Sequence, residues 1–386
     1  MTNQRSILSI PELSRYNRHI IIPGFGLESQ EKLKVAKLLV IGCGGLGSPA
    51  LLYLSAAGVG TIGIVDFDVV DDSNLQRQVL YGTGDVGKNK TEAARSRLQA
   101  LNPHINIIVH NVKLSSENAL AIISQYDVVV DGTDNFATRY LVNDACVLLG
   151  KPNVYASVFQ FEAQVSVFNY IDPAGEPGPN YRDLYPVPPP PGLVQDCSEG
   201  GVLGVLPGIA GSLQALEAIK IITGRGDVLS GRLLIFDALS FATNVFKIRR
   251  NPENPLTGEN PSIKELIDYE EFCGVKPAKE GVKEITAKEF YDLQVSGEPF
   301  QLIDVREPYE YDIVNIAAEL IPLATVAENT QRIQRDKKVI VHCKVGSRSA
   351  DAIIELQNKF GYDNLYNLKG GILAYIDEVR PELTRY

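Results

Sequence analysis

Apolar and polar positions along this 386-residue chain alternate in two rhythms, short β-rich apolar runs and stretches with helical spacing. No charged residue occurs from Leu38 to Val65, a run long enough to span a bilayer, for which roughly 20 apolar residues suffice. Its glycines and Pro49 break it instead into an apolar strand (LLVIG, Leu38–Gly42), a glycine turn, a helix over about Ser48–Ala57 and a second strand, Thr61–Val65. That is one βαβ unit. Weighed in the same way, no later run reads as a membrane span.

The rhythm continues with a helix near Asn89–Leu101, a strand in INIIVHNVKL, a helix near Ser116–Ser124, a strand in YDVVVDGTDN and a helix near Ala137–Leu149. Strands that alternate with helices need crossovers, so these predict a parallel sheet. Residues Asn3–Gln30 are polar and partly helical, and aromatic-bearing strands follow over Asn153–Tyr170. The segment Pro173–Cys197, with four consecutive prolines at Pro188–Pro191, reads as an extended loop. Beyond Cys197 a glycine-rich stretch leads into a core helix, and RLLIFDA supplies a further strand. VKPAKEG is a short polar linker, after which the strand–helix pattern restarts. The expected organisation is α/β throughout: a nucleotide-binding domain over 1–274, a linker over 275–281 and a smaller α/β domain over 282–386.

Composition narrows the function classes. A hydrophobic content of 45% is that of a globular protein, and a net charge of −10 argues against nucleic acid or an anionic membrane as the main partner. The start of the chain has neither an apolar core nor a small-residue cleavage site, which reads as cytoplasmic. Five scattered cysteines with no C-x-x-C spacing are not a disulfide framework, so each begins as a small buried hydrophobe. Context lifts Cys197 and Cys343 out of that class.

GCGGLG at Gly42–Gly47 lets backbone N–H groups approach a phosphate at a helix N-terminus, and Asp66 ends the second strand where a ribose hydroxyl would sit. By themselves Gly42, Gly44 and Gly47 fit the fingerprint of nicotinamide enzymes equally well. DFDVVDDSNLQRQ tips the balance, because it carries Asp66, Asp68, Asn74 and Arg77, and a hydride carrier needs no arginine aimed at phosphate. A triphosphate losing pyrophosphate does want fixed cations beside the developing charge. In the second domain VIVHCKVGSR ends a buried strand and opens a helix, so loop N–H groups and Arg348 surround the Cys343 sulfur, a setting that stabilises an anion. Four residues separate Cys343 from Arg348. That cradle is smaller than the five-residue spacing that wraps a tetrahedral phosphate, and it suits a persulfide.

With LIDVRE upstream, which contains Asp304 and Arg306, the second domain resembles the rhodanese sulfurtransferases. DIVNIAAELIP lacks the Gly-His usual before the proline, for which only a local effect is expected. GCGGLG, DFDVVDDSNLQRQ, VGKNK, DGTDN and CSEGGVLGVLPG, in that order, resemble the MoeB and ThiF adenylyltransferases, relatives of ubiquitin-activating enzymes. The fused rhodanese domain points to the MoeZ-like branch and its eukaryotic counterpart. The resemblance implies a Rossmann-like ThiF/MoeB fold in which Gly45 and Asp66 hold adenosine and ribose, with Gly42, Gly44 and Asp68 also at the cofactor site. Ser73, Asn74, Leu75, Gln76, Arg77 and Lys90 would contact the phosphates of ATP, Asp134 and Asn135 would sit at Mg2+ and the α-phosphate, and Arg18 would reach the ATP site of the other subunit of a homodimer. It further implies that a small ubiquitin-like sulfur carrier of MoaD or ThiS type is adenylated on its Gly-Gly carboxylate. Sulfur then passes from a persulfide on Cys343, within the loop Cys343, Lys344, Val345, Gly346, Ser347, Arg348, loaded by a donor such as a cysteine desulfurase. The product, a thiocarboxylate, would serve molybdopterin, thiamine, cysteine or tRNA thiolation. Cys197 would lie near the adenylate, to form an acyl disulfide or to release the sulfur.

Relatives of this kind carry two C-x-x-C pairs around a structural zinc, whereas here the corresponding positions are Asn180, Asp183, Asn254 and Thr257. Thiolates replaced by oxygen and amide groups leave no closed zinc site, so no zinc is expected. Two other readings of the chain stay open at this point: a dinucleotide-dependent oxidoreductase with an accessory rhodanese domain, and a noncatalytic scaffold that binds the carrier.

Overall fold

The computed structural model describes residues 6–189, 201–273 and 281–386. Two compact units emerge, Met1–Val275 and Lys276–Tyr386.

The first unit is built on an eight-stranded sheet of order β3-β2-β1-β4-β5-β6-β7-β8. Its strands are β1 (Lys37–Ile41), β2 (Thr61–Val65), β3 (Asn106–His110), β4 (Val128–Asp131), β5 (Asn153–Phe159), β6 (Glu162–Phe168), β7 (Arg232–Asp237) and β8 (Thr243–Lys247). Strands β1 to β5 pair in parallel, and from β5 onward the pairs are antiparallel. Side chains alternate across a pleat. Leu38 and Val40 therefore join Leu51, Leu54 and Leu98 in one buried layer, while Leu39 and Ile41 join Tyr140, Leu141 and Cys146 in the other.

The helices are α1 (Ile10–Arg15), α2 (Asn17–Ile20), α3 (Gly26–Val35), α4 (Gly47–Ala57), α5 (Lys90–Leu101), α6 (Ala119–Ile123), α7 (Phe136–Leu148), α8 (Tyr181–Leu184), α9 (Val205–Thr223) and α10 (Tyr269–Phe272). The glycine motif is a packing requirement as well as a binding one. Gly42 has φ +88°, and a Cβ on Gly47 would stand 1.9 Å from the Gly42 carbonyl oxygen. Helix α4 therefore starts against the end of β1.

One feature agrees with the sequence reading and two differ from it. Helix α9, the core helix expected after Cys197, is long and apolar enough, by length and composition, to cross a membrane; it packs against α4 and strands β4, β5 and β6, with Leu206, Ala210, Ala215 and Ala218 buried. The segment after Pro173 is not wholly extended, because Asn180 caps α8, accepting from the Arg182 N–H at 2.9 Å while Asp183 accepts from the Asn180 N–H at 2.7 Å. Strand β8, all of whose residues are exposed, gave no alternating signal to read. Cys197 and most of the expected linker lie outside the described residues.

The second unit is a five-stranded parallel sheet of order β11-β10-β12-β13-β9. In chain order it comprises β9 (Lys283–Ile285), α11 (Ala287–Ser296), β10 (Phe300–Asp304), α12 (Pro308–Ile313), β11 (Glu319–Leu320), β12 (Lys338–His342), α13 (Ser347–Phe360), β13 (Leu365–Leu368) and α14 (Gly371–Glu378). Central β12 is buried on both faces, as a near-continuous apolar run in a parallel sheet should be.

Candidate active sites

In the first unit a cleft of about 1080 Å³ opens at the carboxyl ends of the parallel strands, the side on which open α/β sheets bind ligands. Gly42, Gly44, Gly45, Asp66, Asp68, Arg77, Lys90, Asp134 and Asn135 all line it. Asp66, at the end of β2, is half-buried and accepts from the Cys43 N–H at 2.8 Å and from the Asp68 N–H at 2.9 Å. It thereby ties the glycine loop to the strand. Burial raises its carboxyl, against the pull of Lys90 and these two N–H donors. Lys90 is buried and its Nζ lies 3.0 Å from the exposed carboxylate of Asp68. That contact aims the ammonium along the cleft wall.

The other candidates fall elsewhere. Ser73, Asn74, Leu75 and Gln76 do not line the cleft; they form a turn whose own groups are used internally, with Asp71 accepting from the Ser73 N–H at 2.9 Å and Ser73 carbonyl accepting from Arg77 at 3.2 Å. This turn presents Arg77 and Gln78. Arg18 is exposed on α2 and outside the cleft of its own chain. Sequence reasoning missed Gln78, Thr133 and Arg139, and the stretch Leu266–Glu270, all of which line the cleft. The first two lie inside segments already singled out. Leu266–Glu270 gave no local signal, because only long-range contacts bring it there: Ser116 Oγ donates to the Ile267 carbonyl at 2.6 Å and Lys113 pairs with Glu270 at 2.6 Å.

The four positions of the expected metal cage do converge. Asn180 Nδ2 donates to Thr257 Oγ1 at 3.0 Å, and Asn254 Nδ2 donates to Asp183 Oδ1 at 2.7 Å and Asn180 Oδ1 at 3.2 Å. Asn254 Oδ1 accepts from the Leu256 and Thr257 N–H groups. Beside this cluster the buried Arg182 makes two bonds to Asp144, at 2.8 and 2.7 Å, between the rings of Tyr140 and Phe272. Among the described residues no group of three or more His, Cys, Asp or Glu side chains is placed to hold a metal ion.

In the second unit Cys343 follows β12 and is fully buried. Gly346, with φ +97°, turns its N–H onto Sγ at 3.1 Å, and Ser349 Oγ lies 3.4 Å from Sγ while donating to Asn367 at 2.6 Å. Arg348 is not an unbalanced cation at the sulfur, as its loop position suggested. Its guanidinium makes two bonds to Glu310, at 2.6 and 2.9 Å, and this pair holds the Glu310 carboxyl below the usual carboxylate range against the effect of burial. Asp304 and Arg306 pair with each other in the core. His342 is pushed down to about 4 by burial and stands neutral, 3.7 Å from Asp304.

Residues 16–256 match the ThiF family, and residues 286–378 match the Rhodanese-like domain. The chain belongs to the ThiF family. Its second unit is a rhodanese domain, so both resemblances read from the motifs are borne out. Over 388 residues it is 50% identical to a probable adenylyltransferase/sulfurtransferase MoeZ of Mycobacterium tuberculosis, covering 99% of this chain and 97% of that protein. A sulfur carrier protein adenylyltransferase of Thermus thermophilus is 54% identical over 265 residues, 69% of this chain and 98% of its own length. An adenylyltransferase and sulfurtransferase MOCS3 of Aedes aegypti is 42% identical over 97% of this chain and 89% of that one. Among solved structures, Escherichia coli MccB bound to MccA-N7isoASN superposes with a TM-score of 0.57 at 24% identity, covering 66% of this chain and 77% of that one, a likeness of fold.

Proposed function

We propose that this enzyme adenylates the C-terminal carboxylate of a small ubiquitin-like sulfur-carrier protein and then converts it to a thiocarboxylate. Residues 1–274 perform the first step and residues 282–386 supply the sulfur. The observation that carries the reading is the convergence of the glycine loop, Asp66, Arg77, Lys90, Asp134 and Asn135 on one cleft. Arg77 and Lys90 at its wall argue for phosphate chemistry over hydride transfer, which needs neither.

In the first step ATP lies along the cleft with its adenosine and ribose at Gly45 and Asp66 and its phosphates toward Arg77 and Lys90. A carrier carboxylate oxygen attacks the α-phosphorus, the bond to the β-phosphate breaks and pyrophosphate leaves. Arg77 and Lys90 offset the charge that develops on the oxygens, a contribution worth about 2.7–4 kcal/mol per donor in comparable sites. Asp134 is an exposed carboxylate on the same wall, and Mg2+ is held by one or two carboxylates together with substrate phosphates. Asp134 fits that role, with Asn135 beside it. The ion would add positive charge at the phosphates. Arg18, exposed on α2, contributes to the site of a second copy in a homodimer.

In the second step the terminal sulfur of a Cys343 persulfide attacks the acyl carbon and AMP leaves. A second thiol then breaks the S–S bond, releasing the thiocarboxylate; Cys197 is the candidate in this chain. A cysteine desulfurase is the proposed source of the persulfide sulfur, and the reducing cytoplasm the proposed setting. Carrier-dependent exchange of pyrophosphate into ATP tests the reading. Exchange that requires a Gly-Gly-ended carrier supports it, and no exchange with any such carrier while Arg77 is intact overturns it. In Cys343→Ala exchange should survive and thiocarboxylate formation, read as a mass gain of about 16 Da on the carrier, should not.

A further inference from the structure

Cys343 has no exposed surface, yet sulfur transfer requires a donor or acceptor to come within roughly 3–3.5 Å of the reacting atom. The loop must therefore open, and the contacts that close it are specific. The Ile372 and Leu373 N–H groups at the start of α14 donate to the carbonyls of Cys343 and Lys344 at 2.9 and 3.2 Å. These are backbone bonds between the loop and the first turn of α14.

A second set of contacts on the loop comes from the side chain of Tyr386. After α14 the chain folds back and Tyr386 packs, with Leu383, on the cluster of Val314, Ile372 and Ile376. The Lys344 ammonium sits over the Tyr386 ring, 4.8 Å from its centroid. The Tyr386 hydroxyl donates to Glu310 Oε1 at 3.1 Å and accepts from Arg306. Glu310 is the residue that holds Arg348. Tyr386 thus touches the residue after Cys343 directly and the last residue of the loop through Glu310. One side chain thus reaches both ends of the loop, by its ring at Lys344 and by its hydroxyl through Glu310 at Arg348.

We propose that Tyr386 is the latch of the Cys343 loop: seated on Lys344 and Glu310 it keeps the sulfur shielded, and its release exposes Sγ to the persulfide donor and to the acyl adenylate. Tyr386 is a positioning residue, acting on Cys343 through Lys344 and the Glu310–Arg348 pair. The latch rests on the reading of Cys343 as the sulfur carrier for its purpose, but its test does not depend on turnover.

The experiment is iodoacetamide alkylation of the full-length protein, with the Cys343 peptide followed by mass spectrometry and hydrogen exchange of the Val339, Ile340 and Val341 amides of β12 measured in parallel. Alkylation follows the open population when opening and closing are fast. Tyr386→Ala should raise the Cys343 rate about tenfold, the factor that corresponds to about 1.4 kcal/mol. The core amides should stay protected. Tyr386→Phe, which keeps the ring on Lys344 and loses the hydroxyl bonds, should fall between wild type and Tyr386→Ala. A Cys343 rate unchanged in Tyr386→Ala overturns the latch. So does a rise matched by loss of β12 protection, which would make Tyr386 a brace of the whole unit. Loss of carrier adenylation in wild type would instead count against the proposed function and leave these rates unaffected.

Discussion

Asn180 Nδ2 donates to Thr257 Oγ1 at 3.0 Å across 77 residues of chain. Both residues occupy positions where zinc thiolates were expected from the family pattern, so the segment around α8 and the loop after Arg250 are joined by hydrogen bonds among side chains. Asn254, buried and satisfied at both ends of its amide, is the hub. Replacing it by Ala should destabilise the first unit by about 1–3 kcal/mol, the penalty for leaving buried partners unpaired. Thermal melting checks this. The same melt repeated with a strong chelator should show no shift in wild type, and a fall of several degrees would restore a metal to this place.

Arg77 and Lys90 should differ in how they fail. Arg77 is presented by a surface turn, so Arg77→Ala should lower carrier-dependent pyrophosphate exchange by roughly 10²–10³ while leaving the fold intact. Lys90 is buried against Asp68. Lys90→Ala should lower exchange comparably and also reduce stability. Asp68→Asn, which weakens the hold on Lys90 but keeps the ammonium, should cost far less activity than either. Steady-state exchange rates set beside melting curves distinguish the three.

Gly47 admits no side chain. A Cβ would stand 1.9 Å from the Gly42 carbonyl oxygen, in the glycine loop proposed to bind the nucleotide. Gly47→Ala should shift the start of α4 and abolish measurable nucleotide binding, whereas Gly82→Ala, where a Cβ meets nothing within 4 Å, should not. Calorimetric titration with a nonhydrolysable ATP analogue checks the pair.

His342 makes the rhodanese unit sensitive to acid. Its folded-state value of about 4 lies below the ordinary 6.5 because burial disfavours the charged ring. The unfolded chain therefore binds more protons between these values. Stability is fully present above about pH 6.5 and is lost as pH falls toward 4, by an amount on the order of 3 kcal/mol. Hydrogen exchange of β12 amides between pH 7 and 4, corrected for intrinsic rates, should show protection declining across that window. In His342→Leu the decline should be flatter.

How much of this was legible in the sequence follows from the range of the forces involved. The βαβ rhythm, the glycine loop, the α/β class of both units and the Cys343 loop at a strand end are set by local patterning, by alternation across a pleat and by residues whose backbone freedom is itself the signal, such as Gly42 and Gly346. Arg77, Lys90 and Asp134 were legible because they stand in ordered motifs next to those elements. Tertiary structure alone brought Leu266–Glu270 to the cleft and turned Ser73–Gln76 away from it. It also matched Arg348 with Glu310, seated Tyr386 on Lys344, and joined Asn180 to Thr257. In each case the partners lie far apart in the chain, so no local period encodes them; burial and charge matching select them only once the sheets have fixed where each segment must run.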